Sequence, residues 1–201
     1  EDPLDAFVSN TFSHFDALPQ GAKVGTSSLR RKCQILKQRP DLNIIDLRGN
    51  VGTRLSKLDA GNYDAIILAS AGLKRLGLAE RIRHTLTPDI SLPAVGQGAL
   101  GLECREDDQA VLDYILPLMH EQTDVCVRAE RAFNAYLEGG CQVPIAGYAT
   151  LQNGHIHLEG RVGSVDGAIL LQATQTGAMT EAEQLGVALA KDLVLQGADE
   201  L

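Results

Sequence analysis

The sequence predicts a doubly wound α/β domain followed by a small α+β domain with a three-stranded antiparallel sheet. Three observations carry that prediction. Residues 4–92 alternate short apolar runs with amphipathic stretches, the pattern of repeated βα units. The run Ala65–Ala69 is apolar throughout, as expected of a strand covered on both faces in a parallel sheet. Further on, three alternating runs are joined through Asn153-Gly154 and Asp166-Gly167, dipeptides that favour hairpin turns.

In chain order, Ala6–Ser9 reads as a strand, Ser13–Leu18 as a short helix and Lys23–Gly25 as a strand. A helix runs from Ser28 to about Arg39 and stops at Pro40, whose ring and missing N–H end it. Leu42–Leu47 is a strand with Ile44 and Ile45 inward; Val51–Ala60 is a helix closed by Gly61. After strand Ala65–Ala69 come short helices at Gly72–Leu76 and Leu78–Arg83. Residues 93–117 break the rhythm. Pro93-Ala94-Val95-Gly96-Gln97-Gly98 reads as a hinge crossing, Ala99–Cys104 as a strand and Gln109–Leu116 as a helix ending at Pro117. One βα piece is too small for a domain, so it is expected to complete a sheet whose other strands lie outside this chain. Residues 118–201 form a second unit: helix Asp124–Leu137, strands Ile145–Leu151, Ile156–Val162 and Ala168–Thr174, and helix Glu181–Gln196. Thr180 is the expected N-cap of that last helix, with Glu181 and Glu183 favourable in its first turn.

Charge is segregated. The 201-residue chain carries a net −8, yet residues 20–83 hold 13 of the 18 Lys/Arg and 5 of the 26 Asp/Glu, leaving +8 in that segment and −16 elsewhere. Three strand-to-helix junctions in it carry arginine: Val24-Gly25-Thr26-Ser27-Ser28-Leu29-Arg30-Arg31, Leu47-Arg48-Gly49-Asn50-Val51-Gly52-Thr53-Arg54, and Leu68-Ala69-Ser70-Ala71-Gly72-Leu73-Lys74-Arg75. A helix start already has partial positive charge and unpaired N–H groups, so cations there are unfavourable unless an anion binds. In a parallel sheet the three junctions lie side by side at the carboxyl ends of the strands, where open α/β folds place ligands. One basic lobe on an acidic chain without tryptophan argues against general nucleic-acid binding, which relies on broad positive fields. A compact polycarboxylate or phosphate fits better. Gly49 and Gly52 do not have the spacing of a dinucleotide fingerprint.

No apolar run approaches the ~20 residues of a membrane span, and no secretory signal is visible, so a cytoplasmic location is expected. The opening Glu1-Asp2-Pro3-Leu4 has no initiator methionine and leads straight into a strand, which suggests a piece of something longer. The cysteines Cys33, Cys104, Cys126 and Cys141 form no C-x-x-C pair, so zinc or dithiol chemistry is not expected. Cys33 and Cys126 fall on apolar helix faces, and Cys104 ends an apolar strand. Cys141 follows Gly139-Gly140 and precedes Pro144, which marks a turn. It is either a reachable loop thiol or a small residue buried at that turn. His155 and His157 share one side of a strand and alternate with Ile156 and Leu158, which reads as a solvent-facing side rather than a metal pair.

The arginine junctions together with Glu138-Gly139-Gly140-Cys141-Gln142-Val143-Pro144 resemble the porphobilinogen deaminase (hydroxymethylbilane synthase) family, bacterial type. Tyr63-Asp64-Ala65-Ile66-Ile67-Leu68-Ala69 and Leu92-Pro93-Ala94-Val95-Gly96-Gln97-Gly98 match it as well, and the resemblance covers the whole chain. It implies three domains, two of them doubly wound and similar in plan to periplasmic binding proteins. On that plan residues 4–92 correspond to the second domain, 93–117 to the return segment of a truncated first domain, and 118–201 to the α+β cofactor-attachment domain.

The resemblance implies a transferase of porphyrin, tetrapyrrole and heme biosynthesis. It would polymerise porphobilinogen on a covalent dipyrromethane cofactor, release ammonia and free the linear tetrapyrrole hydroxymethylbilane. It gives Cys141 the thioether bond to that cofactor. It gives Arg30, Arg31, Arg48, Arg54 and Arg75 the carboxylates of the pyrrole chain, with Thr26, Ser27 and Ser28 supplying hydroxyls and helix N–H groups. Arginine suits the task because its planar fork takes a carboxylate bidentately. The catalytic aspartate of the family is expected outside this chain, so the chain alone is expected to be inactive. No metal, nucleic acid or membrane partner is implied, and the parent enzyme is expected to be a monomer. The residues alone leave two other readings open: a non-catalytic module for a small polycarboxylate or phosphorylated ligand, and self-association through the edge of strand Ala99–Cys104.

Overall fold

The computed structural model describes residues 1–139 and 144–201. The first sheet contains β1 (Asp5–Val8), β2 (Lys23–Gly25), β3 (Asn43–Ile45), β4 (Ala65–Ala69) and β5 (His84–Leu86), in the spatial order β3-β2-β4-β1-β5. Strands β2, β3 and β4 are mutually parallel, while β1 runs antiparallel to both β4 and β5. The sheet is therefore mixed. The parallel trio is the part that delivers the three junctions side by side.

Alternation along the buried strands builds two cores. Phe7 and Ile67 join Phe15, Val24, Ile35 and Leu86 on one face, and Ala6, Val8, Ile66 and Leu68 join Leu47, Leu55, Leu58 and Leu73 on the other. Successive strand side chains point to opposite faces, so each three-residue apolar stretch feeds both layers. Helices α1 (Leu29–Gln38), α2 (Val51–Asp59) and α3 (Ser70–Arg75) follow β2, β3 and β4. Cys33 lies in the core as expected, and burial pushes its thiol up to about 11.

Downstream, α4 (Gln109–Ile115) is followed by α5 (Glu121–Tyr136), then the antiparallel meander β6 (Ile145–Gln152), β7 (His155–Gly163) and β8 (Leu170–Ala178), then α6 (Ala182–Leu195). One face of this sheet packs on α5 and α6 through Phe133, Ile156, Leu158, Leu189 and Leu193. His155 and His157 face solvent between buried Ile156 and Leu158. The two helices approach backbone to backbone at Gly186, where a Cβ would run into the Ala129 carbonyl oxygen. The β7–β8 turn seats on α1. Gly167 has φ +74, and a Cβ there would meet the Leu36 side chain and the Cys33 carbonyl oxygen.

Several sequence expectations change. Ala99–Cys104 forms no strand; Leu100 and Leu102 are 69% and 60% exposed. A strand needs a partner edge for its N–H and C=O groups, and no described segment offers one there. The helix expected at Ser13–Leu18 is one 3-10 turn, Phe15–Ala17. The one expected at Leu78–Arg83 shrinks to Ala79–Arg81, because the chain turns directly into β5 to pair with β1. The last strand runs on to Ala178 because β7 supplies partners along its whole length. Thr180 does not cap α6. It sits inside a 3-10 turn, Met179–Glu181, and the Glu181 carboxylate accepts from the Ala178 N–H at 3.3 Å.

Candidate functional site

The site is built where β2 and β3 hand over to α1 and α2. Ser28 caps α1 by accepting from the Arg31 N–H at 3.4 Å, and Asn50 caps α2 by accepting from the Thr53 N–H at 2.8 Å. Ser27 ties the two junctions together: its hydroxyl donates to the Leu47 carbonyl at 2.5 Å and accepts from the Leu47 N–H at 3.2 Å. Thr26 is buried behind them and accepts from the Ser28 N–H at 3.2 Å.

Arg30 and Arg31 are buried, and their charge is partly answered from within. Asp5, fully buried at the start of β1, accepts from Arg30 Nη1 and Nη2 at 3.0 and 3.2 Å and from Arg31 Nε and Nη2 at 3.0 and 2.8 Å. Burial alone would raise the Asp5 pKa, but the two guanidiniums outweigh it and hold the carboxyl well below the usual carboxylate range. Burial lowers the Arg30 pKa, with Asp5 opposing. Ser91 and Gln97 complete the cluster, donating to Asp5 at 2.8 and 2.9 Å. Two guanidiniums against one carboxylate leave one positive charge in the wall.

A cleft of about 1430 Å³ opens onto that wall. Ser27, Ser28, Arg30, Arg31 and Arg54 line one side of it, and Arg131 and Asn134 of α5 line the other. Arg54 donates through Nε to the Gly49 carbonyl at 2.8 Å. Partial burial, and then the nearby charge of Arg31, lower its pKa. Among the described residues neither Arg54 nor Arg131 forms an ion pair. Mutually repelling cations on a concave wall are stabilised by a bound anion, and an enclosed charge-assisted hydrogen bond is worth about 1.5–3 kcal/mol. These donors suit an anionic ligand such as a polycarboxylate.

Of the residues singled out from sequence, Ser27, Ser28, Arg30, Arg31 and Arg54 meet at the cleft. Arg48 turns outward, 83% exposed and paired with Asp46 at 3.1 Å; Arg75 is exposed outside the cleft lining, and Thr26 stands behind it. Cys141 lies outside the described residues, but Gly139 and Ile145, on either side of that stretch, both line the cleft. Two contributors escaped the sequence reading. Asp5 was legible only as a lone charge heading an apolar strand. Arg131 sits on a helix whose polar face gives no hint of its direction.

A second buried carboxylate lies away from the cleft lining. Glu130 of α5 accepts from the Gly96 N–H at 2.7 Å and from the Ala149 N–H at 2.8 Å, tying the crossing segment to β6. Burial pushes it up to about 7 against the lowering effect of those two bonds. Among the described residues no His, Cys, Asp and Glu cluster could hold a metal, and no helix is long and apolar enough to cross a membrane.

Residues 1–113 match the family domain described as "Porphobilinogen deaminase, dipyromethane cofactor binding domain", and residues 125–194 match "Porphobilinogen deaminase, C-terminal domain". The first match alone covers more than half of the chain. A doubly wound sheet with arginine-bearing junctions, a three-stranded α+β unit and these two matches lead to one conclusion: the chain belongs to the porphobilinogen deaminase family, transferases of tetrapyrrole synthesis that carry a dipyrromethane cofactor.

Proposed function

We propose that the cleft holds the dipyrromethane cofactor and the pyrrole chain growing on it, tethered by a thioether to Cys141. One observation carries this reading: Gly139 and Ile145, which bracket the cysteine's stretch, line the same cleft as the guanidiniums of Arg31 and Arg54. The non-catalytic module is not favoured, because both matched domains are those of the deaminase.

Each residue has a task in this reading. Arg31 and Arg54 take acetate and propionate groups, with Arg131 approaching from α5. Ser27 ties the end of β2 to the end of β3 so that these forks stay in register, and Ser28 holds the first turn of α1. Arg30 is the most enclosed and sets the rear of the wall. Arg48 and Arg75 serve carboxylates that reach beyond the cleft rim. When bound, the cofactor supplies the covalent primer to which porphobilinogen units are added with loss of ammonia.

The carboxylate that balances the developing cation is assigned outside this chain. Asp5 is fully committed to two arginines, Glu130 is bonded to two backbone N–H groups outside the cleft lining, and Asp124, which does line the cleft, is paired with Arg128 at 3.0 Å. On this ground the chain alone turns over no substrate. The proposal keeps the division at 4–92, 93–117 and 118–201 and a cytoplasmic location. It is tested on the full-length enzyme by intact mass and peptide mapping. A dipyrromethane adduct on Cys141, lost together with activity in Cys141→Ser, is expected; an unmodified Cys141 in active enzyme overturns it.

A further inference from the structure

We infer that Arg161, on β7 of the three-stranded unit, is a positioning residue for Arg30 at the cleft wall, acting through the side-chain amide of Gln34. The inference rests on the reading of Arg30 as part of the anion-binding wall.

Arg161 is a buried cation in a sheet whose core is otherwise apolar. Glu159, two residues back on the same strand, answers its charge at 2.6 Å. That leaves Nη1 pointing out of its own unit, and it donates to Gln34 Oε1 on α1 at 2.9 Å. Gln34 is itself buried and uses both ends of its amide. Oε1 also accepts from the Leu92 N–H at 2.8 Å, and Nε2 donates to the carbonyls of Leu92 and Arg30, both at 3.2 Å. The Leu92 carbonyl in turn accepts from Arg30 Nη1.

A side-chain amide is nearly symmetric in shape, so only its partners decide which end is oxygen. Here a flip would aim the NH2 group at a guanidinium and at a backbone N–H. The Arg161 charge makes that flip costly and holds the oxygen toward Leu92. Leu92 is then held through its N–H and C=O together, and its carbonyl fixes the guanidinium of Arg30. The relay crosses from the antiparallel unit to the first sheet through four hydrogen-bonded groups. A misplacement near 1 Å at a binding group can cost on the order of a hundredfold in rate.

The test is steady-state kinetics on full-length holoenzyme, with rates normalised to enzyme that carries the cofactor by intact mass and is folded by circular dichroism. Arg161→Met should lower kcat/KM about tenfold, chiefly through KM, with cofactor loading intact. Arg161→Lys, which keeps a donor cation within reach of Gln34, should recover most of the loss. The double variant Arg161→Met/Gln34→Leu should be no worse than Gln34→Leu alone. Wild-type kcat/KM in Arg161→Met beside an impaired Arg30→Leu overturns the relay and leaves the wall intact. Wild-type kinetics in Arg30→Leu overturns the wall itself. Additive losses in the double variant, or a lower melting temperature with unchanged normalised kinetics, also overturn the relay.

Discussion

Asp5 and Glu130 are both carboxylates sealed inside the protein, and they are kept there by opposite means. Asp5 sits among two guanidiniums, a hydroxyl and an amide, and its ionised form is strongly favoured. Among the described residues Glu130 is bonded by two backbone N–H groups, and burial pushes it up to about 7. The first sheet thus buries charge in compensated form, at the wall where we propose that anions bind. The α5 side buries a carboxyl that has no ion pair among the described residues, at the join between the crossing segment and β6. The lesson is that counter-charge, rather than burial, decides which carboxyl remains ionised at neutral pH.

Breaking the compensated centre should have the largest effect. Asp5→Asn leaves two guanidiniums facing each other without a countercharge, and stability should fall by about 3–5 kcal/mol in urea unfolding at pH 7. A loss under about 1 kcal/mol would show that Gln97 and Ser91 suffice to hold the pair.

The pH response separates the two carboxyls more sharply. Glu130 keeps its proton to about pH 7 in the fold but releases it near 4.3 when unfolded, so the native state binds more protons between those values. Stability should therefore decline, by on the order of 2 kcal/mol, as pH rises from about 5 to 8. Glu130→Gln should flatten that slope, and an unchanged slope would assign it to another group. Asp5 works the other way. Its pKa is depressed in the fold, so its contribution is complete above about pH 3.9 and drains away as acid approaches its low folded value.

Gly186→Ala probes the apolar side of the same unit by forcing a methyl group against the Ala129 carbonyl. About 1–3 kcal/mol should be lost in thermal or urea unfolding, with the Glu130 slope retained. The smallest effect is expected at Arg48→Ala. Its ion pair with Asp46 is in water, and stability should stay within about 0.5 kcal/mol of wild type. A larger loss would mean that exposed charges on this lobe matter to folding as much as the enclosed ones.

The fold was legible wherever local pattern and tertiary partner agree. Ala65–Ala69, the start of α1 at Ser28 and the Asn153-Gly154 turn are local signals, and each lies where the sequence placed it, whereas the cap expected at Thr180 does not form. Leu100 and Leu102 carry the alternation of a strand but lack a partner edge, so the pattern misled. His84–Leu86 is too short to announce itself and becomes a strand only because β1 lies beside it. At the site, arginine at helix starts was readable because it contradicts the helix dipole. The partner of those arginines was not, since Asp5 lies outside the junctions and reaches them only through the sheet.

The place of β1 carries a consequence for how the molecule is made. It precedes β4 and β5 in sequence, yet it is seated between them, with Asp5 opposite Ala69 on one side and Leu86 on the other. During synthesis β1 emerges before both of those neighbours and must wait for them to leave the ribosome. Only then can the aspartate it bears quench the two arginines of α1. Closure of the sheet and the pairing of Asp5 with the arginines of α1 are therefore one late event, timed by the arrival of Leu86.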